Sequence, residues 1–176
     1  MRKLIGFFKV VTLLAILVIS ISSCSKNDNQ VHPDYVGAWM SIDSISTVYG
    51  NTSLKDVITL TETSFTDLKQ IQFMNAWMDF ISMKGTLSAS GNLINVHITE
   101  AGTSFDMDTL LPFLPLGKIT SYKEGTPEFD SLLSLAKLSQ TFKSEYSVSG
   151  NKLTLKTDYN NNGKYEANET TVYTRQ

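Results

Sequence analysis

Metal-binding chemistry is indicated at one segment, residues 158–169. It follows the spacing of a calcium loop, Asp-x-Asn-x-Asn-Gly-x5-Glu, in which oxygen atoms bind the ion and the glycine permits a sharp bend. The oxygens would come from Asp158, Asn160, Asn162, the carbonyl of Lys164, Glu166 and Glu169. The flanking residues are typical of strands rather than helices, and Asn-Gly is also a hairpin signal. A plain turn and a weak calcium site both stay open, and no other cofactor is indicated.

Three further side chains, Trp77, Phe80 and His97, are candidate contacts for a small ligand. His97 alternates with Ile94, Val96 and Ile98, so it is predicted to lie on the opposite face of a strand, as a polar-face histidine or as a ligand contact. Two histidines, a single cysteine and no serine–lysine or paired-carboxylate motif leave few groups for acid–base or nucleophilic chemistry. A protein that is not an enzyme is predicted.

The only cysteine, Cys24, follows a segment with the properties of a secretory signal peptide. A basic start precedes an apolar run from Val10 to Ile21, which is too short and wrongly flanked for a stable membrane span. Together with the small residues before it, Cys24 resembles the lipobox of bacterial lipoproteins. The resemblance implies that residues 1–23 are removed and that Cys24 carries acyl chains such as palmitate, which anchor the protein in a membrane.

Removal of residues 1–23 takes away three of the 15 basic residues and none of the 17 acidic ones, which leaves a formal charge of −5. This charge argues against nucleic acid as a partner. Residues 24–34 are polar and aperiodic, which predicts a lipidated flexible tether before one domain over residues 35–176. Ser25, in place of the aspartate associated with inner-membrane retention, favours the outer membrane of the cell envelope and leaves the leaflet open.

From Val36 onward, runs rich in Val, Ile, Thr, Tyr and Phe alternate with clusters of Gly, Asn and Ser, which is typical of short antiparallel strands. Eight strands are predicted, over residues 36–48, 55–62, 65–73, 77–88, 93–99, 141–148, 152–159 and 164–174. Eight strands can close into a barrel that is filled by side chains or holds one small ligand, and closure removes exposed sheet edges. The predicted fold is therefore an all-β, eight-stranded antiparallel barrel.

Two similar segments, residues 84–92 and 143–151, share Lys, Ser, Ser, Gly and Asn at the same spacing. The final Ser-Gly-Asn of each supplies the positive backbone torsion of a tight turn, so two equivalent hairpins are predicted. Residues 73–85 fit both a helix and a hairpin with its turn at Asn75-Ala76. The hairpin is favoured because this segment runs directly into the first repeat.

Two elements are inserted between these hairpins. Residues 100–117 contain the apolar stretch Leu110–Leu116, which is broken by prolines and predicts a loop. The loop would plug one end of the barrel, cover a binding mouth or contact a partner. Residues 126–140 predict a helix, with Thr126 as N-cap and Pro127 in the first turn. Its inward stripe would be Phe129, Leu132, Leu133 and Ala136.

The segments Tyr35–Trp39 and Thr170–Arg175, with the Ser-Gly-Asn hairpins, resemble the lipocalin-like lipoproteins of Gram-negative bacteria over essentially the whole chain after the tether. The resemblance implies that Trp39 of the Gly-x-Trp element closes the base of the barrel, so Trp39 and Gly37 are predicted to be structural. It also implies that the barrel carries a small apolar molecule.

Two functions follow from these features. The first is a membrane-anchored, lipocalin-like lipoprotein that binds a small apolar ligand in the cell envelope. The alternative is a solid-cored accessory subunit that docks another envelope protein, either with or without a weak calcium site. The interior distinguishes them, since a ligand carrier needs a cavity of at least about 300 Å³. A docking module would fill that space with large residues such as Phe65, Trp77, Phe80 and Tyr146.

Overall fold

The structure is a computed structural model that describes residues 33–47, 50–105, 118–159, 161–165 and 169–176. These residues form nine β-strands and one α-helix. The strands are β1 Gly37–Thr47, β2 Gly50–Leu60, β3 Ser64–Phe73, β4 Ala76–Ser90, β5 Leu93–Thr103, β6 Thr120–Lys123, β7 Thr141–Ser149, β8 Lys152–Asp158 and β9 Thr170–Arg175, and the helix is α1 Pro127–Ala136. By their contacts, residues 32–176 form one compact unit. No helix among the described residues combines the length and apolarity needed to cross a membrane.

Eight of the described strands close into one antiparallel barrel, in the order β1, β2, β3, β4, β5, β7, β8, β9. The ring closes where Trp39 of β1 pairs with Arg175 of β9, and Met40 with Thr174. Strand β6 lies outside the ring and pairs with the last residues of β5, beyond the part of β5 that pairs with β7. The prediction of an all-β, eight-stranded antiparallel barrel with one helix is confirmed.

The two repeated segments form equivalent hairpins, as predicted. Gly91 and Gly150 begin the two-residue turns, with φ of 61° and 60°. Residues 73–85 are strand and turn, so the hairpin interpretation is confirmed and the helical one is wrong. Its turn is Met74-Asn75, one residue earlier than predicted, because the register pairs Ile71 with Met78 on the same face.

Several element boundaries differ from the predicted ones because side chains bond to nearby backbone. Strand β2 ends at Leu60, and the Thr61 hydroxyl then accepts the amides of Thr63 and Ser64 at 3.2 and 2.9 Å. Helix α1 ends before Lys137, which takes a left-handed conformation with φ 55°. The predicted extension of this helix to residue 140 is therefore wrong.

Two further predicted boundaries are corrected. The final strand begins at Thr170 instead of residue 164, since the Asn162 side-chain oxygen accepts the Lys164 amide at 2.8 Å and keeps Lys164 out of a strand ladder. The predicted loop at 100–117 begins too early, because β5 continues through Thr103 and pairs there with both β4 and β6. Residues 106–117, including Leu110–Leu116, lie outside the described residues.

The Gly-x-Trp element lies between Tyr35, just before β1, and Arg175 of β9. Trp39 is completely buried, and its Nε1 donates to the carbonyl of Tyr35 at 2.8 Å. The Arg175 guanidinium lies 4.2 Å from the centroid of the Trp39 ring. Gly37 has φ 143°, and a Cβ there would lie 3.1 Å from Arg175 Nη1. These contacts give Gly37 and Trp39 structural positions in the barrel.

Helix α1 packs against β5 and β6 and contributes to the barrel core. Thr126 caps it, since its hydroxyl accepts the Phe129 amide at 3.3 Å. Three members of the predicted inward stripe, Phe129, Leu132 and Leu133, are buried, while Ala136 is half-buried. The helix therefore covers apolar surface of the barrel, as its sequence pattern predicts.

Candidate functional site

The barrel interior contains a cavity of about 50 Å³. Most of its wall is apolar and comes from six strands, with Ile58, Leu60, Phe65, Met83, Ile94, Val96, Phe142 and Leu155. Its polar lining is Asp67, Ser144, Thr157, Tyr159 and Tyr173. This volume is far below the roughly 300 Å³ of a pocket for a drug-sized molecule, but it exceeds the roughly 10–15 Å³ that one water requires. The cavity fits only a molecule of a few heavy atoms.

One side of the interior carries an ionic group, here called the interior charge cluster: Asp56, Asp67, Lys69 and Tyr173. Lys69 Nζ lies 2.5 Å from Asp56 Oδ2 and 3.2 Å from Asp67 Oδ2. The Tyr173 hydroxyl donates to Asp56 Oδ2 at 3.0 Å. The two carboxylate side chains are only 10% and 11% exposed, and the Lys69 side chain is 21% exposed. The cluster is thus a largely desolvated ion network within a barrel core.

Strand alternation explains how these charges come to face inward. Asp56 has the same phase along β2 as buried Ile58 and Leu60, and it pairs directly with Lys69 of β3. Asp67 lies two residues before Lys69 and therefore faces the same side. None of these residues belongs to a site predicted from the sequence. They can be recognised as charged residues at positions of two strands where the alternation otherwise places buried apolar residues.

Three buried acceptor atoms near this network lack a hydrogen-bond partner within the described part of the chain: Asp56 Oδ1, Asp67 Oδ1 and Ser41 Oγ. Ser41 pairs with Asp56 across β1 and β2, so it faces the same interior. A buried acceptor without a donor costs about 1–3 kcal/mol. Asp67 also lines the cavity, and its carboxyl group is hydrogen-bonded to that of Asp56 when one of the two holds a proton.

The pKa values of the cluster respond to burial and to one another. Burial raises the pKa of Asp67 to about 7, and nearby Asp56 adds to this effect while Lys69 opposes it. Burial acts to lower the pKa of Lys69, but Asp67 and Asp56 outweigh it and raise that pKa above its usual range. Burial and Asp56 also raise the pKa of Tyr173. Lys69 therefore stays charged at neutral pH, and Asp67 titrates there.

Replacement of Asp67 by asparagine is expected to remove a pH dependence of stability. The pKa of Asp67 in the folded protein, about 7, exceeds the ordinary value of 3.8, so the folded state binds this proton more tightly than the unfolded chain. The resulting contribution to stability is complete below about pH 4 and is lost as the pH rises through 7. The free energy of unfolding of the natural chain should fall by about 2–3 kcal/mol from pH 5 to pH 8, as measured by urea denaturation. Equal slopes in the natural chain and Asp67→Asn would contradict this assignment.

The three candidate ligand contacts lie apart from the interior cavity. Trp77 lies under the Lys55 ammonium, 4.7 Å from its ring centroid, and Phe80 packs against Phe105 with centroids 5.4 Å apart. His97 has the outward phase of β5, as its alternation predicts, and borders an open pocket of about 350 Å³ that Val96 and Phe142 also line. Its Nε2 lies 3.1 Å from Glu124 Oε2. Ligand binding by these three residues stays a prediction.

The Glu124 carboxylate connects the β6–α1 turn to the barrel. Its hydrogen bonds to His97 and then to Gln140 lower the pKa of Glu124. Gln140 Nε2 donates to Glu124 Oε1 at 2.6 Å and to the carbonyl of Ile98 at 3.4 Å. His97 thus has an exposed polar partner on the turn between β6 and α1.

The segment predicted to bind calcium forms a hydrogen-bonded turn in its described part. The Asp158 carboxylate accepts the amides of Asn162 and Gly163 at 2.9 and 2.7 Å, which is compatible with a plain turn and with a calcium loop. Asp158 and Glu169 are buried, whereas Asn160 and Glu166 lie outside the described residues. In the part of the chain that is described, no three His, Cys, Asp or Glu side chains are grouped to hold a metal. Calcium binding stays a prediction.

The described residues define a closed antiparallel barrel with a small interior cavity bordered by an ion network. No protein-family model matches this sequence. A search of curated proteins also found no similar chain. The site must therefore be interpreted from its own chemistry. Cys24, the predicted lipid attachment residue, lies outside the described residues.

Proposed function

We propose that the protein is a membrane-anchored barrel of the lipocalin-like kind, and that it binds a small molecule in its interior without catalysing a reaction. The observation that carries this proposal is the interior cavity, which has mostly apolar walls and a small polar part formed by Asp67, Ser144, Thr157, Tyr159 and Tyr173. Apolar walls with a few placed polar groups are the usual composition of small-molecule sites.

The size of the cavity limits the ligand. A volume of about 50 Å³ fits a short, largely apolar molecule and not a long acyl chain or a polycyclic one. The polar part of the lining favours a ligand that carries one polar group, because a buried polar group without a partner is costly. A small, largely apolar molecule with one polar group is therefore the ligand class that this interior supports.

The proposed location is the cell envelope, with the outer membrane favoured. It rests on the sequence alone: the basic and apolar start of the chain, and a single cysteine placed at the end of that segment. Two or three acyl chains on Cys24 would give stable anchoring. The polar residues that follow would let the barrel stand off the membrane.

Docking of another envelope protein is a second candidate function, and two observations favour it. The interior is small for a carrier, as a solid-cored module requires. Ile42 of β1 and Val172 of β9 face outward and are 55% and 52% exposed. These two strands are neighbours in the barrel, so an apolar contact surface is available on its outside.

Mass spectrometry of the protein purified from its own host tests the proposal in one experiment. The intact mass is expected to lack residues 1–23 and to include diacylglyceryl and acyl groups, and the native spectrum is expected to contain one small bound molecule. Cys24→Ala is the matched control, which should stay unprocessed and unlipidated. A natural chain without added lipid would contradict the anchor. A stoichiometric protein in place of a small molecule would favour docking.

A further inference from the structure

Beyond the binding of a small molecule, we propose that the outer surface of β9, β1, β2 and β3 is a self-association surface whose partner is a second copy of this chain. Its centre consists of five outward apolar side chains, here called the apolar face: Met40, Ile42, Val57, Leu68 and Val172. The four strands are neighbours in the barrel, so these side chains form one continuous patch.

Strand register places the apolar face on the outside of the barrel. Met40 pairs with Val57, and Val57 pairs with Leu68, so these three side chains form a row across β1, β2 and β3. All three alternate with residues that face the interior. Ile42 lies two residues beyond Met40 on the same side of β1, and Val172 lies on the outer side of neighbouring β9. Ile42 and Val172 are 55% and 52% exposed, so both are available to a partner.

The size of the apolar face fits a weak contact. Four strands about 4.8 Å apart, over about five residues of about 3.3 Å each, cover about 300 Å². Exposed apolar patches of this size mark interaction sites, whereas a standard interface covers about 800 Å² on each partner. A dissociation constant in the micromolar range or weaker is therefore expected. Such an affinity is sufficient for copies that share one membrane through the proposed anchor, because confinement raises their effective concentration.

The surroundings of the apolar face allow it to meet a copy of itself. In a two-fold symmetric contact the same surface lies on both sides, so a charge near the axis would face its own copy. The adjacent outward positions on the same strands hold uncharged side chains: Ala38, Thr59, Thr66, Gln70 and Thr174. Among the described outward residues of these strands, the one charge is Lys55, whose ammonium extends toward β4 and lies 4.7 Å from the Trp77 ring centroid.

The two edges of this surface differ in charge, and this difference favours one arrangement. Lys152 of β8 lies beside β9 at one edge, and Asp79 of β4 lies beside β3 at the other. A two-fold axis that runs from the tether end of the barrel to its far end places the β8 edge of each copy against the β4 edge of the other. Opposite charges then meet at both edges. The same axis directs both proposed anchors into one membrane, so this step rests on the proposed anchoring.

Disulfide cross-linking of the full-length protein, in membranes of its own host, tests the proposal. Val57 lies near the middle of the surface, so Val57→Cys is expected to join two copies on mild oxidation, giving a product of twice the mass. Cys24 is the only natural cysteine, so the natural chain provides the baseline. Ser147→Cys, exposed on β7 and away from the apolar face, is the matched control and should give little cross-linked product.

Ile42→Asp in the Val57→Cys protein tests the contact itself. A carboxylate in the middle of an apolar contact loses its hydration, so cross-linking is expected to fall by about tenfold or more. Leu135→Asp is the control, because Leu135 lies on α1 and is 59% exposed, close to the value for Ile42. It should leave cross-linking unchanged. Both positions are exposed, so circular dichroism should show a folded barrel for both variants.

Charge reversal at the edges tests the arrangement. Asp79→Lys should weaken cross-linking of the Val57→Cys protein, and adding Lys152→Asp should restore it. Equal cross-linking of Val57→Cys and Ser147→Cys would overturn the proposal, and so would a Val57→Cys product that joins this chain to a different protein. Both outcomes leave the proposed ligand-binding function intact, because the small molecule in the native mass spectrum is detected independently of cross-linking.

Discussion

Replacement of Lys69 by methionine is expected to lower the free energy of unfolding by about 3–5 kcal/mol at pH 7. Methionine fills similar space but removes the only positive charge of the interior charge cluster, within the residues that the structure describes. Asp56 and Asp67 would then face each other in the core without a counter-ion. Denaturation by urea, followed by circular dichroism, measures the loss.

Lys84→Met is the matched control for this prediction. Lys84 also pairs with a carboxylate across neighbouring strands, at 2.9 Å from Glu100 Oε1, but its side chain is 54% exposed. Surface pairs of this kind contribute about 0–1 kcal/mol. The double variant Asp67→Asn/Lys69→Met should recover part of the lost stability, because it removes one of the unpaired charges. Equal losses in Lys69→Met and Lys84→Met would contradict the buried placement of Lys69.

The cluster is an unusual use of core positions. Buried ion networks stabilise a fold little, since apolar side chains of the same volume often do as well or better. Here the network also leaves enclosed acceptor atoms of Asp56 and Asp67 without partners in the described residues. A barrel that needed only stability would carry Leu or Val at these positions. The departure from that rule lies beside the cavity, which is where a recognition function would require it.

The sequence predicts the barrel because several local signals agree. The Ser-Gly-Asn turns at Gly91 and Gly150 determine two hairpins, and alternation then determines which face of each strand is buried. Thr126 and Pro127 likewise determine where the helix starts, since a capping threonine and a first-turn proline are recognisable from adjacent residues. These features depend on a few neighbouring residues, so they can be recognised without knowledge of the packing.

The interior chemistry could not be predicted in the same way. Asp56, Asp67 and Lys69 have the inward phase of their strands, but a charged residue in a strand is ordinarily assigned to the solvent side. Only the register of β2 and β3, together with the position of Tyr173 on β9, shows that these side chains meet in one hydrogen-bonded cluster. The cavity volume depends on side chains from several strands, so it is likewise a property of the packed barrel.

Replacement of Trp39 by alanine is expected to lower the free energy of unfolding by about 3–5 kcal/mol. Trp39 is completely buried, so alanine leaves a cavity that the rigid strands on either side cannot fill. The change also removes the donor to the Tyr35 carbonyl and the ring beneath the Arg175 guanidinium. The turn before β1 and strand β9 would therefore lose a common contact, and urea denaturation followed by circular dichroism measures the effect.

Trp77→Ala and Trp39→Phe separate the contributions to this loss. Trp77 is only half-buried and makes a cation–π contact with Lys55, so its removal should cost about 1 kcal/mol. Trp39→Phe keeps an aromatic ring but removes the Nε1 donor, so its cost should be intermediate because the Tyr35 carbonyl is left unbonded. A loss for Trp39→Ala no larger than that for Trp77→Ala would mean that the barrel does not depend on this ring for closure. In that case the pairing of β1 with β9 through Trp39 and Arg175 would have to be held by backbone hydrogen bonds alone.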